Sequence, residues 1–417
     1  MPQPVRHVGD AERRARLGVR NGLADPLPDI AGATRAITVW HATEPASVHL
    51  AIRARTSGVG VADVEHALYT SRELVKLTAM RQTLFAAPPD LLPALWGSAA
   101  ARAATTQARS LAKDLVADGI ATDGAAWLAE AGERIVAALA DGTETDSTRV
   151  RELVPMVDLS VRRGSGRWAR PFPLGQLMLN LLGAQGRLVR SRSIGHWRVA
   201  RPTWTATDAW LGVASGAGGA AGRPDERAGY AELVRRWLRT FGPGTEADLR
   251  WWLGGTLGAV RAALADLAAV PVTLDGAANP AGRQLGWLLP EDTAVVPAPE
   301  RDWVALLPTL DPTVMGWTGR GFYLDALPGG GADLFDSVGN AGTTAWHNGR
   351  VVGCWSQDDD ARVGVKLLTE VPDRVVAALA EEAGRLTAWL DGAQVTAIDV
   401  GAATSRARSG RVLRAGE

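Results

Sequence analysis

The sequence predicts an α+β fold: three tandem winged-helix units, near residues 10–97, 98–211 and 222–298, followed by a C-terminal β-barrel near 299–400. Three observations carry this. At 417 residues the chain exceeds one ordinary core and divides into several domains. A helix, a second helix and a strand pair recur in order three times, which is the order of a winged helix-turn-helix. From Trp303 onward the pattern changes to short strands separated by turn signals. Composition agrees with a folded chain, with 46% hydrophobic and 22% charged residues. No run approaches the ~20 apolar residues of a membrane span, and no signal peptide is recognisable, so a cytoplasmic protein without membrane association is expected. Cys354 is the only cysteine, which excludes an intramolecular disulfide and a thiolate metal cluster; no metal or cofactor is expected. The formal net charge is zero, so any DNA-binding surface must come from local patches. Lysine occurs only at Lys76, Lys113 and Lys366, and arginine supplies the remaining positive charge. Arginine suits phosphate forks and stacking on bases, but the bias also follows from codon usage.

In order along the chain, residues 1–20 are basic, with Arg13, Arg14, Arg16 and Arg20, and read as a solvated helix or a phosphate-contacting arm. Val39–Arg55 follows. In it Val48, Ala51, Ile52 and Arg55 fall at i, i+3, i+4 and i+7, the spacing of one helical face. Pro45 suits the first helical position, with Glu44 or Thr43 as cap. His41 and Thr43 then lie on the segment entering a helix N-terminus, where unsatisfied N–H groups carry partial positive charge. That charge disfavours imidazolium and leaves His41 neutral and base-competent. Val61–Leu68 reads as a short helix, Arg72–Met80 as helical or strand-entering, and Arg81–Ala87 as a strand.

The second unit opens with an Ala-rich helical stretch, 98–140, broken near Gly119–Gly124. Leu174–Gly183 is helical, and Gln185–Arg190 and Trp197–Trp204 form a strand pair rich in Arg190, Arg192, Arg198 and Arg201. That hairpin reads equally as a basic wing or as a solvated surface. Gly212–Asp225 is a Gly/Ala-rich linker. In the third unit Tyr230–Thr240 is a helix, Thr245 with Asp248 forms a capping box, Gly258–Leu267 is a helix, and Val270–Thr273 and Leu285–Leu289 are strands. Beyond it, Asn348-Gly349 between Thr343–Trp346 and Arg350–Trp355 is a hairpin signal.

Several strings resemble the AlkZ/YcaQ-type DNA glycosylases, a bacterial winged-helix family. His41-Ala42-Thr43-Glu44-Pro45 followed by Leu50-Ala51-Ile52-Arg53-Ala54-Arg55 keeps the frame in which the family carries Gln-apolar-Gln, an acid, Pro and LAxxAR. Both glutamine positions hold other residues here. Arg81-Gln82-Thr83-Leu84-Phe85 is similar to R-x-T-L-H, with Phe85 in place of His. The stretch Phe241–Gly254 resembles FGPxTxxDLxxWxG, and Leu306–Arg320 resembles LLPxxDPxxxGxxxR. Gly339, Asn340, Gly349, Arg350, Val351, Gly353 and Trp355 complete a further string.

The resemblance implies an enzyme that hydrolyses the N-glycosidic bond of alkylated purines in double-stranded DNA, interstrand crosslinks included, and acts as a monomer without a cofactor. An N-alkylated purine is already a cationic leaving group, so the site needs a positioned water and stabilisation of an oxocarbenium-like sugar. In this sequence His41 would handle the water, Thr43 would orient it and Glu44 would stabilise the sugar cation. Against this, His41 is equally readable as a buried core histidine, Thr43 as a cap and Glu44 as a first-turn acid. Expected DNA contacts are Arg81, Arg190, Arg192, Arg198, Trp317, Arg320, His347, Asn348 and Arg350. Trp317 fits packing better than insertion between bases. Asp311 fits a turn-stabilising or a DNA-facing role. A non-catalytic winged-helix protein that binds DNA or a lesion is the alternative.

Overall fold

The computed structural model describes residues 4–164, 170–212, 225–276, 283–395 and 413. The linker expected at Gly212–Asp225 therefore lies, from 213 to 224, outside the described residues, as does the end of the 299–400 segment from 396. The chain divides into two compact units, one formed by residues 1–64 with 234–417 and the other by 65–233.

In the first unit the Asp10–Arg20 helix carries Asp10 and Glu12 in its first turn, where acids complement the helix dipole. It is a helix, but not the solvated one expected from its charge. Arg13, Arg14 and Arg16 are buried. Arg16 pairs with Glu12 at 2.9 Å and Asp292 at 3.1 Å, Arg14 donates to the Phe322 carbonyl at 2.7 Å, and Arg13 lies 3.7 Å over the Phe322 ring. Charge pattern along the chain missed this because part of what receives these cations is remote: the Phe322 carbonyl lies 308 residues from Arg14, and Asp292 lies 276 residues from Arg16. Asp29 caps the Ile30–Ile37 helix through Gly32 N at 2.6 Å. The strand Trp40–His41 then leads to the Pro45–Arg53 helix.

The Glu246–Leu253 helix has the expected capping box, with Thr245 Oγ1 accepting from Asp248 N at 3.1 Å and Asp248 accepting from Thr245 N at 3.0 Å. The Leu257–Asp266 helix and the hairpin Val270–Asp275 and Arg283–Leu288 follow, and His7–Val8 adds a parallel third strand.

The expected β-barrel is not closed among the described residues. Val304–Leu307, Thr344–His347, Arg350–Gln357 and Val363–Leu367 form an open antiparallel sheet in sequential order. Four short strands do not curl far enough for their edges to pair. The Asp373–Leu390 helix instead packs on both outer strands, burying Val375, Leu379, Ala383, Leu386 and Leu390 along one stripe. The Asn-Gly turn is present as predicted, with Asn348 at φ 47° and Gly349 at φ 80°.

In the second unit the strands Val75–Thr78 and Leu84–Ala87 form a hairpin. The Ala-rich stretch folds as the helices Ala99–Ala117 and Gly124–Ala138, joined where the sequence predicted. Asp123 caps the latter through Ala125 N and Ala126 N. The backbones touch: a Cβ on Gly124 would sit 2.1 Å from the Ala112 carbonyl oxygen. The Leu174–Ala184 helix completes a core with Leu111, Leu115, Leu128, Ile135, Met178 and Leu182. The hairpin Leu188–Ser193 and Pro202–Ala206 follows it. Among the described residues no helix is long and apolar enough to cross a membrane.

Candidate active site

The segment His41–Pro45 joins a strand to a helix start, as its sequence indicates. His41 is buried, 5% exposed, at the end of its strand. Thr43 is exposed. Glu44 occupies the N-cap with extended backbone, φ −91° and ψ 116°, and Pro45 takes the first helical turn. Of the groups around the Glu44 carboxylate, the Ala46 N–H is the one that favours its ionised form. Burial strips water from its carboxylate and raises its pKa above the ordinary 4.5. A histidine, a hydroxyl and a carboxyl thus come within four residues at a point where the backbone N–H groups are electropositive.

What holds this segment was invisible in the His41–Arg55 string itself. Arg55, two residues past the helix end, forms a bidentate pair with Asp311 at 2.6 and 2.9 Å, both side chains fully buried. Its guanidinium also donates to Thr313 Oγ1 at 2.7 Å and to the Ala51 carbonyl at 2.7 Å. Thr313 Oγ1 in turn donates to Asn21 Oδ1 at 2.7 Å. At the other end of the helix Ser47 Oγ donates to the Thr309 carbonyl at 2.6 Å. The helix is therefore fixed at both ends to the single turn Thr309–Thr313. Asp311 is structural in this respect, one of the two roles its Asp-Pro setting allowed. Asp248 links two further strings in the same way: besides capping its own helix it accepts from Thr318 N at 3.0 Å and Gly319 N at 2.8 Å.

The remaining predicted residues of the first unit are placed as follows. Trp317 is 1% exposed, with ring centroids of Phe241, Phe322, Trp237 and Tyr323 at 5.1 to 6.1 Å. It is a packing residue and offers no wedge. Arg320 lies 4.2 Å over the Phe335 ring, and desolvation lowers its pKa. Asn348 donates to Asp302 at 2.6 Å and accepts from Trp303 N at 3.0 Å. The hairpin tip is closed to insertion, since a Cβ on Gly349 would lie 2.6 Å from that of Arg14. Arg350 pairs with Asp325 at 3.0 Å. His347 lies 3.7 Å from Asp302, and burial outweighs that carboxylate to lower its pKa. It lines a cavity of about 790 Å³ together with Arg53, Asp302, Arg374, Glu382 and Trp389.

In the second unit Arg81 and Gln82 make the turn of the first hairpin, at φ 53° and 59°. Two successive non-glycine residues in the left-handed region carry strain of roughly 1–2 kcal/mol each. Arg190 lies 4.9 Å over the Trp204 ring. Arg192 is exposed and pairs with Glu144 at 3.1 Å, and Arg198 is half-buried. Among the described residues no group of three or more His, Cys, Asp or Glu side chains is placed to hold a metal ion.

With this geometry in place, comparison with known proteins assigns the class. The family of AlkZ-like DNA glycosylases matches residues 34–389, and the chain belongs to that family. No curated protein sequence matches it. Among solved structures, the Streptomyces sahachiroi DNA glycosylase AlkZ is similar in fold, with a TM-score of 0.69 at 18% identity, covering 92% of this chain and 97% of that one. The family assignment makes DNA the substrate and base excision the reaction class.

Proposed function

We propose that the protein is a monofunctional glycosylase that removes alkylated purines, interstrand crosslinks among them, from double-stranded DNA, and that His41, Thr43 and Glu44 form its catalytic group. The observation that carries this reading is the family frame around His41–Arg55, whose last arginine is locked into a fully buried pair with Asp311. That pair holds the C-terminal end of the helix and the Ser47–Thr309 hydrogen bond holds its start, and with it the residues that precede it. His41 takes a proton from the attacking water, Thr43 orients the water through its hydroxyl, and the Glu44 carboxylate faces the developing sugar cation. Three helix-and-hairpin stretches, containing Val75–Thr78, Leu188–Ser193 and Val270–Asp275 as first strands, act as winged-helix elements on the duplex.

The test is release of N7-alkylguanine from a duplex, followed as abasic-site formation. His41→Ala is expected to slow single-turnover excision by on the order of 10²–10⁴ with little change in duplex affinity. Excision by His41→Ala at the wild-type rate removes His41 from the mechanism. One observation favours a second reading, in which the protein binds lesions without cleaving them: His41 and Thr43 stand where the family carries glutamines. Absence of excision by the wild type across N7- and N3-alkyl purines and crosslinks, with duplex binding retained, selects that reading.

A further inference from the structure

Two cations in the second unit have no role in this chemistry. Lys76 lies on the Val75–Thr78 strand and Arg190 on the Leu188–Ser193 strand. Lys76 Nζ donates to the Tyr69 hydroxyl at 2.7 Å and sits 5.1 Å from the centre of that ring. The Arg190 guanidinium stacks 4.9 Å over Trp204, and its Nη2 donates to Asn180 Oδ1 at 3.3 Å. Its Nε is buried without a hydrogen-bond partner. Both cations are thus held by neutral acceptors and aromatic faces, and neither enters an ion pair among the described residues.

Electrostatics point the same way. Burial, then the charge of Arg190, pushes Lys76 down to about 8; burial pushes Arg190 down to about 10. Tyr69 is pushed up to about 12, chiefly by burial, so it remains a neutral phenol. Glu65 is the carboxylate that acts on Lys76, and its effect is smaller than the repulsion from Arg190. Two desolvated like charges that repel each other more than Glu65 attracts Lys76 are costly unless a further anion completes them. An oxyanion with several acceptor oxygens offers each a charge-assisted hydrogen bond.

We propose that Lys76 and Arg190 form a phosphate-binding site that receives a backbone phosphodiester of the DNA substrate. The inference rests on the DNA-glycosylase reading for the source of the phosphate. A polynucleotide rather than free phosphate is favoured by the neighbourhood of Asn180. Asn180 also lines a cavity of about 370 Å³ with Gln82, Thr106, Gln107 and Ser110. Amides and hydroxyls of this kind pair with sugar and base edges, which inorganic phosphate lacks.

Lysine is rare enough in this chain to make the test direct. Selective ¹³C labelling of the Lys76, Lys113 and Lys366 side chains gives three signals, and Lys76→Arg assigns the one of interest. A lesion-free duplex at saturation should raise the Lys76 titration midpoint by about one unit or more, as a close opposite charge does. Inorganic phosphate at matched ionic strength should leave it in place. Lys76→Gln should reduce the slope of log K against log salt by about 0.9, the value for one phosphate contact, while Lys76→Arg retains it. A duplex that binds with wild-type affinity and leaves the Lys76 midpoint and the salt slope unchanged overturns the site without touching the glycosylase reading. An equal shift with inorganic phosphate alone overturns the DNA-backbone assignment. Failure of the wild type to bind any duplex overturns both.

Discussion

Glu44 is the residue at which structure adds most to sequence. Its acid side chain at a helix start reads as an ordinary dipole-complementing group, yet burial raises its pKa above 4.5. If its carboxylate faces the sugar cation, the acid limb of excision should carry two protonations, that of His41 as base and that of Glu44 at a pH higher than an ordinary glutamate would give, and Glu44→Gln should leave only the first. A single-turnover pH profile of both proteins checks this; an identical acid limb in Glu44→Gln rules the carboxylate out. Stability carries the opposite sign. Folding desolvates the ionised form, so the folded protein binds more protons than the unfolded chain between the two pKa values. The stability of the protonated state is therefore present below the unfolded value and lost as pH rises through the folded one. Glu44→Gln should melt higher than wild type at pH 7 and at the same temperature at pH 3. Equal melting temperatures at both would mean that folding does not desolvate this carboxylate.

At the scale of elements, the Pro45–Arg53 helix depends on a turn more than 250 residues away in sequence. Asp311→Asn leaves the Arg55 guanidinium buried beside a neutral amide, and truncation of a buried pair costs about 3–5 kcal/mol. Urea denaturation should show that loss, and Arg55→Met with Asp311→Leu should recover much of it. Ser47→Ala, which removes one hydrogen bond, should cost about 1 kcal/mol. A loss under 1 kcal/mol in Asp311→Asn would remove the staple from the account of the site. Most elements were legible because their signals are local. Thr245 caps its helix through an N–H three residues away, and Asn348-Gly349 forces its own turn. The barrel was not legible, since closure is decided by what meets the edge strands, here the Asp373–Leu390 helix. The Arg81-Gln82 turn was missed for a related reason: neither residue advertises a left-handed backbone.

Over the whole molecule, the segment proposed as catalytic could be singled out from sequence because its frame is short and contiguous. The partners that fix it, Asp311, Thr313 and Thr309, are set by tertiary contacts that no periodicity encodes. Charge was misread for the same reason. The chain carries 45 basic and 45 acidic side chains, and many arginines that look free in sequence are already paired, as Arg16 is with Asp292 and Arg350 with Asp325. Duplex binding must therefore come from a minority of cations, and its salt dependence counts them. With six phosphate contacts the slope of log K against log salt should be about −5, a loss of at least ~10³ in affinity between 50 and 200 mM salt. Exposed Arg192 belongs to that minority if its pairing with Glu144 yields to phosphate. Arg192→Gln should then flatten the slope by about 0.9. Arg374, equally exposed and paired with Asp302 at 2.8 Å, is outside the proposed contacts, and Arg374→Gln should leave the slope unchanged. Fluorescence anisotropy on one duplex at four salt concentrations measures all three proteins. A wild-type slope near zero would refute phosphate-driven binding, and equal slopes for the wild type and Arg192→Gln would take Arg192 out of the interface.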